Sequence, residues 1–465
     1  MKKTFLSIFI GAFLVICLIP LVCMLFAKSE EPVGNETRVE LPSWTKEDGS
    51  LNTELPGELG NWFEHHFAFR PQLITADAKI QKSVFQVSNT ESVVTGTDGW
   101  LYYSSTLDDY LGRNTLSQRG MWNLAHNLSL LQQYTESRGA EFLLMVPPNK
   151  NTLYGEHMPY YYQRPETARH NRDTLAENLE ASGVSYLDLF AFFEAQEEVL
   201  YFKEDSHWTT EGARRVYHEA LTKLDKAHDD YSSVPVQRAK NHLGDLRAML
   251  YPASDEAEYD DTFQYEQNYQ YLPSKNPLSP EVSVEDYRIE STNSKAEGSL
   301  LMYRDSFGNS LIPFFANAWG TAVFSKTVPY NLAADLEKCR PDQVVVEKVE
   351  RNLKDFVKEP AVIPAPQAEK AASDLTQVPE VEVSAEPCLS NMEYVTFRGE
   401  MSGNGRRTDS RIYLGIPTLS GTEEIYEAFA TCTETSDYGF LVYLPAAQFG
   451  GIEAIDLQGI RVYTD

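Results

Sequence analysis

The chain has 465 residues, 42% of them hydrophobic and 23% charged, an ordinary globular composition that excludes a collagen-like, wholly disordered or multi-span membrane protein. Forty Lys and Arg stand against 68 Asp and Glu, a net charge of −28. So acidic a body lacks the cationic footprint that phosphate backbones require, which makes nucleic acid and anionic lipid headgroups poor candidate partners.

Lys2 and Lys3 precede an uncharged run from Thr4 to Ala27, long enough to cross a hydrocarbon core of about 30 Å. A secretory signal is the competing reading. The run exceeds the usual apolar stretch of such signals, however, and it ends Leu25-Phe26-Ala27-Lys28, with Leu where cleavage favours a small residue. The expectation is a cytoplasmic tail over residues 1–3 and an uncleaved signal anchor over 4–27. Lys2 and Lys3 then hold the N-terminus in the cytoplasm and leave the acidic body outside, as a single-pass protein of the cell membrane. Residues 28–60 read as a polar stalk.

Beyond the anchor only Cys339, Cys388 and Cys432 remain, so no disulfide framework is expected. No Cys/His group has zinc-ligand spacing, and neither a metal nor a cofactor is expected.

From about residue 95 the pattern alternates between strand and helix. Asp98-Gly99 marks a turn before Trp100-Leu101-Tyr102-Tyr103. Leu124, Leu128, Leu131 and Tyr134 give Gln118–Ser137 a helical period. A buried strand, Phe142 to Val146, stops at Pro147-Pro148. Helices are predicted near 166–182 and 210–226, with strands at 184–187, 300–303, 321–326 and 343–347. This order predicts a doubly covered, mainly parallel α/β sheet over residues 61–358, with reactive groups at the carboxyl ends of its strands. Residues 359–379, with Pro360, Pro364, Pro366 and Pro379, read as a linker. Residues 380–465 carry short β-rich runs between turns and predict a β-sandwich. The acidic run Asp255–Asp261 reads as a solvated loop.

Nucleophilic acyl transfer needs a hydroxyl, a base and a group that fixes the base's tautomer. Ser306 follows a buried strand and precedes a helix, where a nucleophile would face helix amides. Asp305-Ser306 could equally cap that helix. Asp205 and His207, at i and i+2, emerge on one face if their segment is extended. A loop carboxylate and a satisfied surface histidine are the plainer alternative, and Trp208 reads as a packing residue.

Glu204-Asp205-Ser206-His207-Trp208-Thr209 with Gly212-Ala213, and Asp305-Ser306-Phe307-Gly308 downstream, together resemble the DHHW family of exported proteins, which is akin to the alginate O-acetylation proteins of the SGNH-hydrolase-like class. Further matching segments are His66–Arg70, Gly96–Tyr102, Pro148-Asn149-Lys150, Gly244-Asp245-Leu246 and Pro341–Arg351, so the resemblance spans about residues 60–355. It implies an SGNH-like, flavodoxin-type fold with Ser306 as nucleophile, His207 as base and Asp205 as the orienting acid. The implied activity moves an acetyl group to or from a polysaccharide hydroxyl through an acetyl-Ser306 intermediate, and related systems receive that group from a multi-span membrane acyltransferase partner. Two positions depart from the pattern. Ser206 stands where the family name has its first His, and Arg304 stands where a Gly usually precedes the serine. Arg304 and Lys150 are candidate oxyanion or substrate contacts.

Three functions compete at this stage: a membrane-anchored O-acetyltransferase, a carbohydrate acetylesterase with the same triad, and a non-enzymatic glycan-binding assembly protein. A strongly anionic body favours a neutral or weakly charged glycan.

Overall fold

The computed structural model describes residues 2–24, 26, 38–46, 48–85, 87–274, 281–417, 422–451 and 454–465. Residues 28–37 of the expected stalk, and the end of the expected anchor at Ala27, lie outside the described residues. Thr4–Cys23 form a helix of mean hydropathy 2.9 in which none of the described side chains is buried, and it is long and apolar enough to cross a membrane. Within the expected stalk a helix already begins at Leu55 and runs to His66.

A hairpin of β1 (Val93–Thr95) and β2 (Leu101–Tyr103) leads into the α/β part. There follow β3 (Glu141–Met145) and β4 (Tyr186–Leu187), then a second hairpin of β5 (Val236–His242) and β6 (Glu258–Phe263). After these come β7 (Tyr269–Tyr271), β8 (Arg288–Asn293), β9 (Ser299–Tyr303), β10 (Thr321–Ser325) and β11 (Gln343–Glu347). One seven-stranded sheet has the order β4-β3-β11-β9-β10-β8-β7. Its first five strands are parallel, and β8 and β7 extend it antiparallel.

The apolar runs of β3, β9 and β11 are continuous because both faces of the sheet are covered. Leu144, Leu301, Val344 and Val346 pack with Leu124, Leu128 and Leu131 of the helix Gln118–Ser137 on one face. Leu143, Leu300, Met302 and Val345 meet Ala213, Val216 and Ala220 of the helix Thr210–Lys223, with Phe315, on the other. Ser117 caps the first of these helices, its hydroxyl accepting from the Gly120 N–H. The carboxyl ends of β3, β9 and β11 share one edge, where Lys150, Ser306 and Glu350 follow.

The C-terminal part is a sandwich of two antiparallel four-stranded sheets. Its strands are β12 (Thr376–Val378), β13 (Val383–Pro387), β14 (Tyr394–Glu400), β15 (Ile412–Pro417), β16 (Glu423–Glu427), β17 (Phe429–Thr431), β18 (Gly439–Pro445) and β19 (Arg461–Thr464). Val395, Phe397, Leu414, Val442 and Val462 fill the space between the sheets. Of residues 359–379, expected as a linker, Thr376–Val378 belong to the sandwich as β12, and the preceding segment is packed: Val362 and Ile363 are buried, and the Val362 and Ala365 N–H groups donate to the carbonyls of Tyr330 and Tyr443.

The acidic run expected as a loop instead enters β6. Two of its carboxylates accept from main-chain donors, Glu258 from the N–H groups of Lys203 and Glu204 and Asp260 from that of Thr210, while Glu256 and Asp261 pair with Arg247 and Arg238. Tertiary pairing here outweighs the low strand propensity of acidic residues.

Asn127, buried in the helix Gln118–Ser137, ties the two parts together. Its amide donates to the carbonyls of Phe356 and Ala430 and accepts from the Ala430 N–H. Replacing Asn127 by Ala leaves three buried main-chain groups short of a partner. Urea unfolding followed by circular dichroism should show a loss of about 2–4 kcal/mol.

Candidate active site

Ser306 sits three residues beyond the end of β9 and immediately before a short 3-10 turn, Phe307–Ser310. Asp305 shapes that turn. One of its carboxylate oxygens accepts from the Phe307 N–H at 2.9 Å and the other from the Val349 N–H at 2.8 Å, which locks the exit of β9 to the exit of β11. The Phe307 amide is therefore spent on Asp305. Gly308 is required by close approach, because a Cβ there would lie 2.7 Å from the Arg304 Cβ.

Asp205 and His207 come from a tight loop between Tyr201 and Trp208, whose backbones bridge. The segment is not the extended strand end expected. Instead the His207 N–H donates to Asp205 Oδ1 at 2.8 Å, the local turn that Asp residues favour. Lys150 holds the outside of this loop: its buried ammonium donates to the carbonyls of Phe202, Lys203 and Asp205 at 3.1, 2.9 and 2.5 Å. Burial pulls the Lys150 pKa down to about 8 against the opposing pull of Asp205.

The loop rests on Gly244-Asp245. A Cβ at Gly244 would stand 2.3 Å from the Glu204 carbonyl oxygen, so only glycine lets the two backbones meet. Asp245 accepts from the Ser206 N–H at 2.7 Å and from the Ser206 hydroxyl at 2.5 Å. Arg247 closes the seat with both Glu204 carboxylate oxygens at 2.6 Å.

These supports align three groups. His207 Nδ1 lies 2.7 Å from Asp205 Oδ1, and His207 Nε2 lies 2.8 Å from the Ser306 hydroxyl. The Phe307 ring meets the imidazole edge-on at 4.8 Å, and Trp208, buried, packs on Phe307 and donates to the Ser310 hydroxyl at 2.6 Å. Burial alone would lower the pKa of His207, but the charge and hydrogen bond of Asp205 outweigh it and raise it. Burial would raise Asp205, yet His207 and His242 hold it well below the usual carboxylate range. Nδ1 facing an ionised carboxylate must carry the proton, which leaves Nε2 to accept from the serine.

Of the five residues singled out by sequence, the structure brings Ser306, His207 and Asp205 into one hydrogen-bonded chain. It places Arg304 and Lys150 otherwise. The Arg304 guanidinium is buried against the carbonyls of Val284 and Asp286 at 2.8 and 3.2 Å and the Asn309 side chain, and Lys150 is spent on the three loop carbonyls. Sequence reasoning missed the roles of His242 and Asp245. The segment Gly244-Asp245-Leu246 was visible as a matching motif, but nothing in it says which loop it supports. Asp205, His207 and Asp245 gather three donor atoms within 4.8 Å of one another. Each is already hydrogen-bonded here, Asp205 with His207 and His242, and Asp245 with Ser206. A cavity of about 680 Å³ lined by Trp122, His170 and Thr408, where the α/β part meets the sandwich, includes none of these residues and not Ser306.

Residues 93–281 match the family model of the SGNH hydrolase-like domain of the acetyltransferase AlgX. That stretch contains Asp205, His207, His242 and Asp245 and ends before Ser306. No curated protein matches the chain. Among solved structures, PatB1 of Bacillus cereus with a sulfonyl adduct aligns at a TM-score of 0.45 and 17% identity, covering 56% of this chain and 95% of that one. A DHHW family protein from Eubacterium siraeum aligns at 0.43 and 15%, covering 59% and 98%. AlgX of Pseudomonas aeruginosa aligns at 0.37 and 14%, covering 81% and 96%.

Gly244→Ala should displace the Asp205 loop without unfolding the sheet. The expected result is an unchanged far-UV circular dichroism spectrum with esterase turnover of the full chain down by roughly a hundredfold, the scale of a 1 Å misplacement.

Proposed function

We propose that the protein is a membrane-anchored, extracytoplasmic O-acetyltransferase that acts on a cell-surface polysaccharide through an acetyl-Ser306 intermediate. The observation that carries this reading is the chain of contacts at 2.7 and 2.8 Å from Asp205 through His207 to Ser306, on a fold whose residues 93–281 match an acetyltransferase domain.

In the first half-reaction the Ser306 Oγ attacks the acetyl carbonyl of the donor while its proton passes to His207 Nε2. Asp205 stabilises the imidazolium that forms. The tetrahedral oxyanion needs preorganised donors, and the Ser306 N–H, which makes no hydrogen bond among the described residues, is the one offered by this turn. Collapse returns the proton to the leaving group and leaves acetyl-Ser306. A glycan hydroxyl then gives its proton to His207 and takes the acetyl group, and Ser306 regains its proton.

The helix Thr4–Cys23 would hold the site at the membrane face, with the basic N-terminus inside and a multi-span acyltransferase as a possible acetyl source. The sandwich, residues 380–465 with β12 added before them, would serve as a glycan-binding accessory, and 61–358 as the catalytic domain. Arg304 and Lys150 would act by fixing the backbone around Ser306 and Asp205. A carbohydrate acetylesterase is the second reading, supported by the 23% exposure of the His207 side chain, which leaves the base open to water.

The full chain in detergent, given an acetylated nitrophenyl ester and a glycan acceptor, tests both. Ser306→Ala should lower acetyl-enzyme formation by roughly a thousandfold or more. Acceptor should raise turnover and become acetylated, whereas acetate release indifferent to acceptor would leave the esterase.

The pH dependence follows from His207. Its pKa is raised, so the free base needed for attack is lost as pH falls through a value above the ordinary 6.5. kcat/KM should therefore fall on the acid side with a midpoint above about 6.5.

A further inference from the structure

The Asp205 carboxylate serves two histidines. Its Oδ1 accepts from His207, and its Oδ2 accepts from His242 Nε2 at 3.0 Å and from the Asp245 N–H at 3.0 Å. His242 comes from the end of β5, a strand otherwise remote from the triad. It reaches Asp205 because the β5–β6 ladder breaks register between Lys240, opposite Tyr259, and His242, opposite Glu258. Such a bulge inserts one residue, here Asn241, and reverses which face the next side chain takes. The imidazole then lies flat on Phe202, ring centroids 3.7 Å apart and planes within 2°. A bulge, a stacking platform and a direct hydrogen bond all fix one ring against one carboxylate.

We propose that His242 is a positioning residue that shares the Asp205 carboxylate with His207 and thereby sets the pH at which His207 becomes the free base. The argument rests on the acyl-transfer reading of the Ser306 site and deepens it. A carboxylate that accepts a second strong donor offers less of its charge to the first. With His242 in place, Asp205 holds the His207 tautomer and supports its imidazolium less tightly, so the base returns its proton at lower pH. The side chain of His242 is 28% exposed, so it exchanges protons with solvent. The groups that act on it or touch it are acidic or apolar: Asp205 across the loop, Glu258 and Asp260 from β6, and the Phe202 ring, with the Asp245 N–H sharing its Asp205 oxygen. Burial lowers its pKa, but the Asp205 bond and charge, with Asp260 and Glu258, raise it overall. On acidification the imidazolium form grows, which strengthens the competition for Asp205 as His207 itself is being lost as a base. Cationic groups bear on the neighbouring residues: Lys150 bonds to the Asp205 carbonyl, and Arg351 acts on His207.

The test is the titration of His207 itself, read without substrate. The full chain in detergent is labelled with carbon-13 at histidine, and the His207 and His242 signals are assigned by their loss in His207→Gln and His242→Gln. In His242→Leu the His207 midpoint should rise by about half a pH unit or more. In His242→Gln, which keeps a donor but no charge, it should rise by less. The acid limb of kcat/KM should move with it while the alkaline plateau of the Gln variant stays within a few fold of the parent. A His207 midpoint unmoved or lowered in both variants, or a uniform loss of activity at every pH, overturns the proposal. Should the Leu variant misfold, the Gln variant alone decides by the same criterion. Absence of Ser306-dependent turnover would instead overturn the acyl-transfer reading and leave the His207 titration to stand or fall separately.

Discussion

A charged carboxylate buried almost completely is tolerable only if every lone pair finds a donor, and Asp205 is such a group. Four donors meet it: the His207 ring and N–H, the His242 ring and the Asp245 N–H. Each comes at a structural cost elsewhere. Gly244 must lack a Cβ, β5 must carry a bulge, and Lys150 must be buried to hold the carbonyls of the loop. The site is therefore less a set of three residues than a carboxylate around which a loop, a hairpin and a helix start have been fitted.

The other half of the site depends on the sheet. Parallel strands covered on both faces deliver their carboxyl ends to one edge, and there Asp305 couples the exits of β9 and β11 through two main-chain amides. That coupling fixes the Ser306 turn against the core beneath it, through Phe307 and Trp208. A hydroxyl held on such a rigid edge keeps its place, so its distance to His207 rests on the supports of the Asp205 loop. The sandwich adds nothing to this geometry. It packs on the opposite side of the α/β part through the helix Gln118–Ser137.

Much of the fold was legible because its strongest signals are long or fully buried. The helix Gln118–Ser137 and the strands β3, β9, β10 and β11 fall where their apolar patterns put them, and the sandwich follows from short β-rich runs. The polar strands β5 to β8 were not legible. Their residues alternate without an apolar period, and what holds them is pairing with each other and with β10. The same blindness turned Glu258 and Asp260, which satisfy main-chain donors at the Asp205 loop and at the start of the helix Thr210–Lys223, into part of a solvated run.

Sequence by itself determined the chemistry available: a serine after a buried strand, an Asp-x-His pair, an apolar N-terminal helix and an acidic body. Local spacing carries that information, because strand exits and short motifs are written in neighbouring residues. Only the tertiary structure decided that Ser306 and His207 meet across 99 positions of chain, that Arg304 and Lys150 face carbonyls, and that His242 joins Asp205. Those facts depend on which loop lies against which, and close approach of distant backbones is set by packing that no single segment encodes.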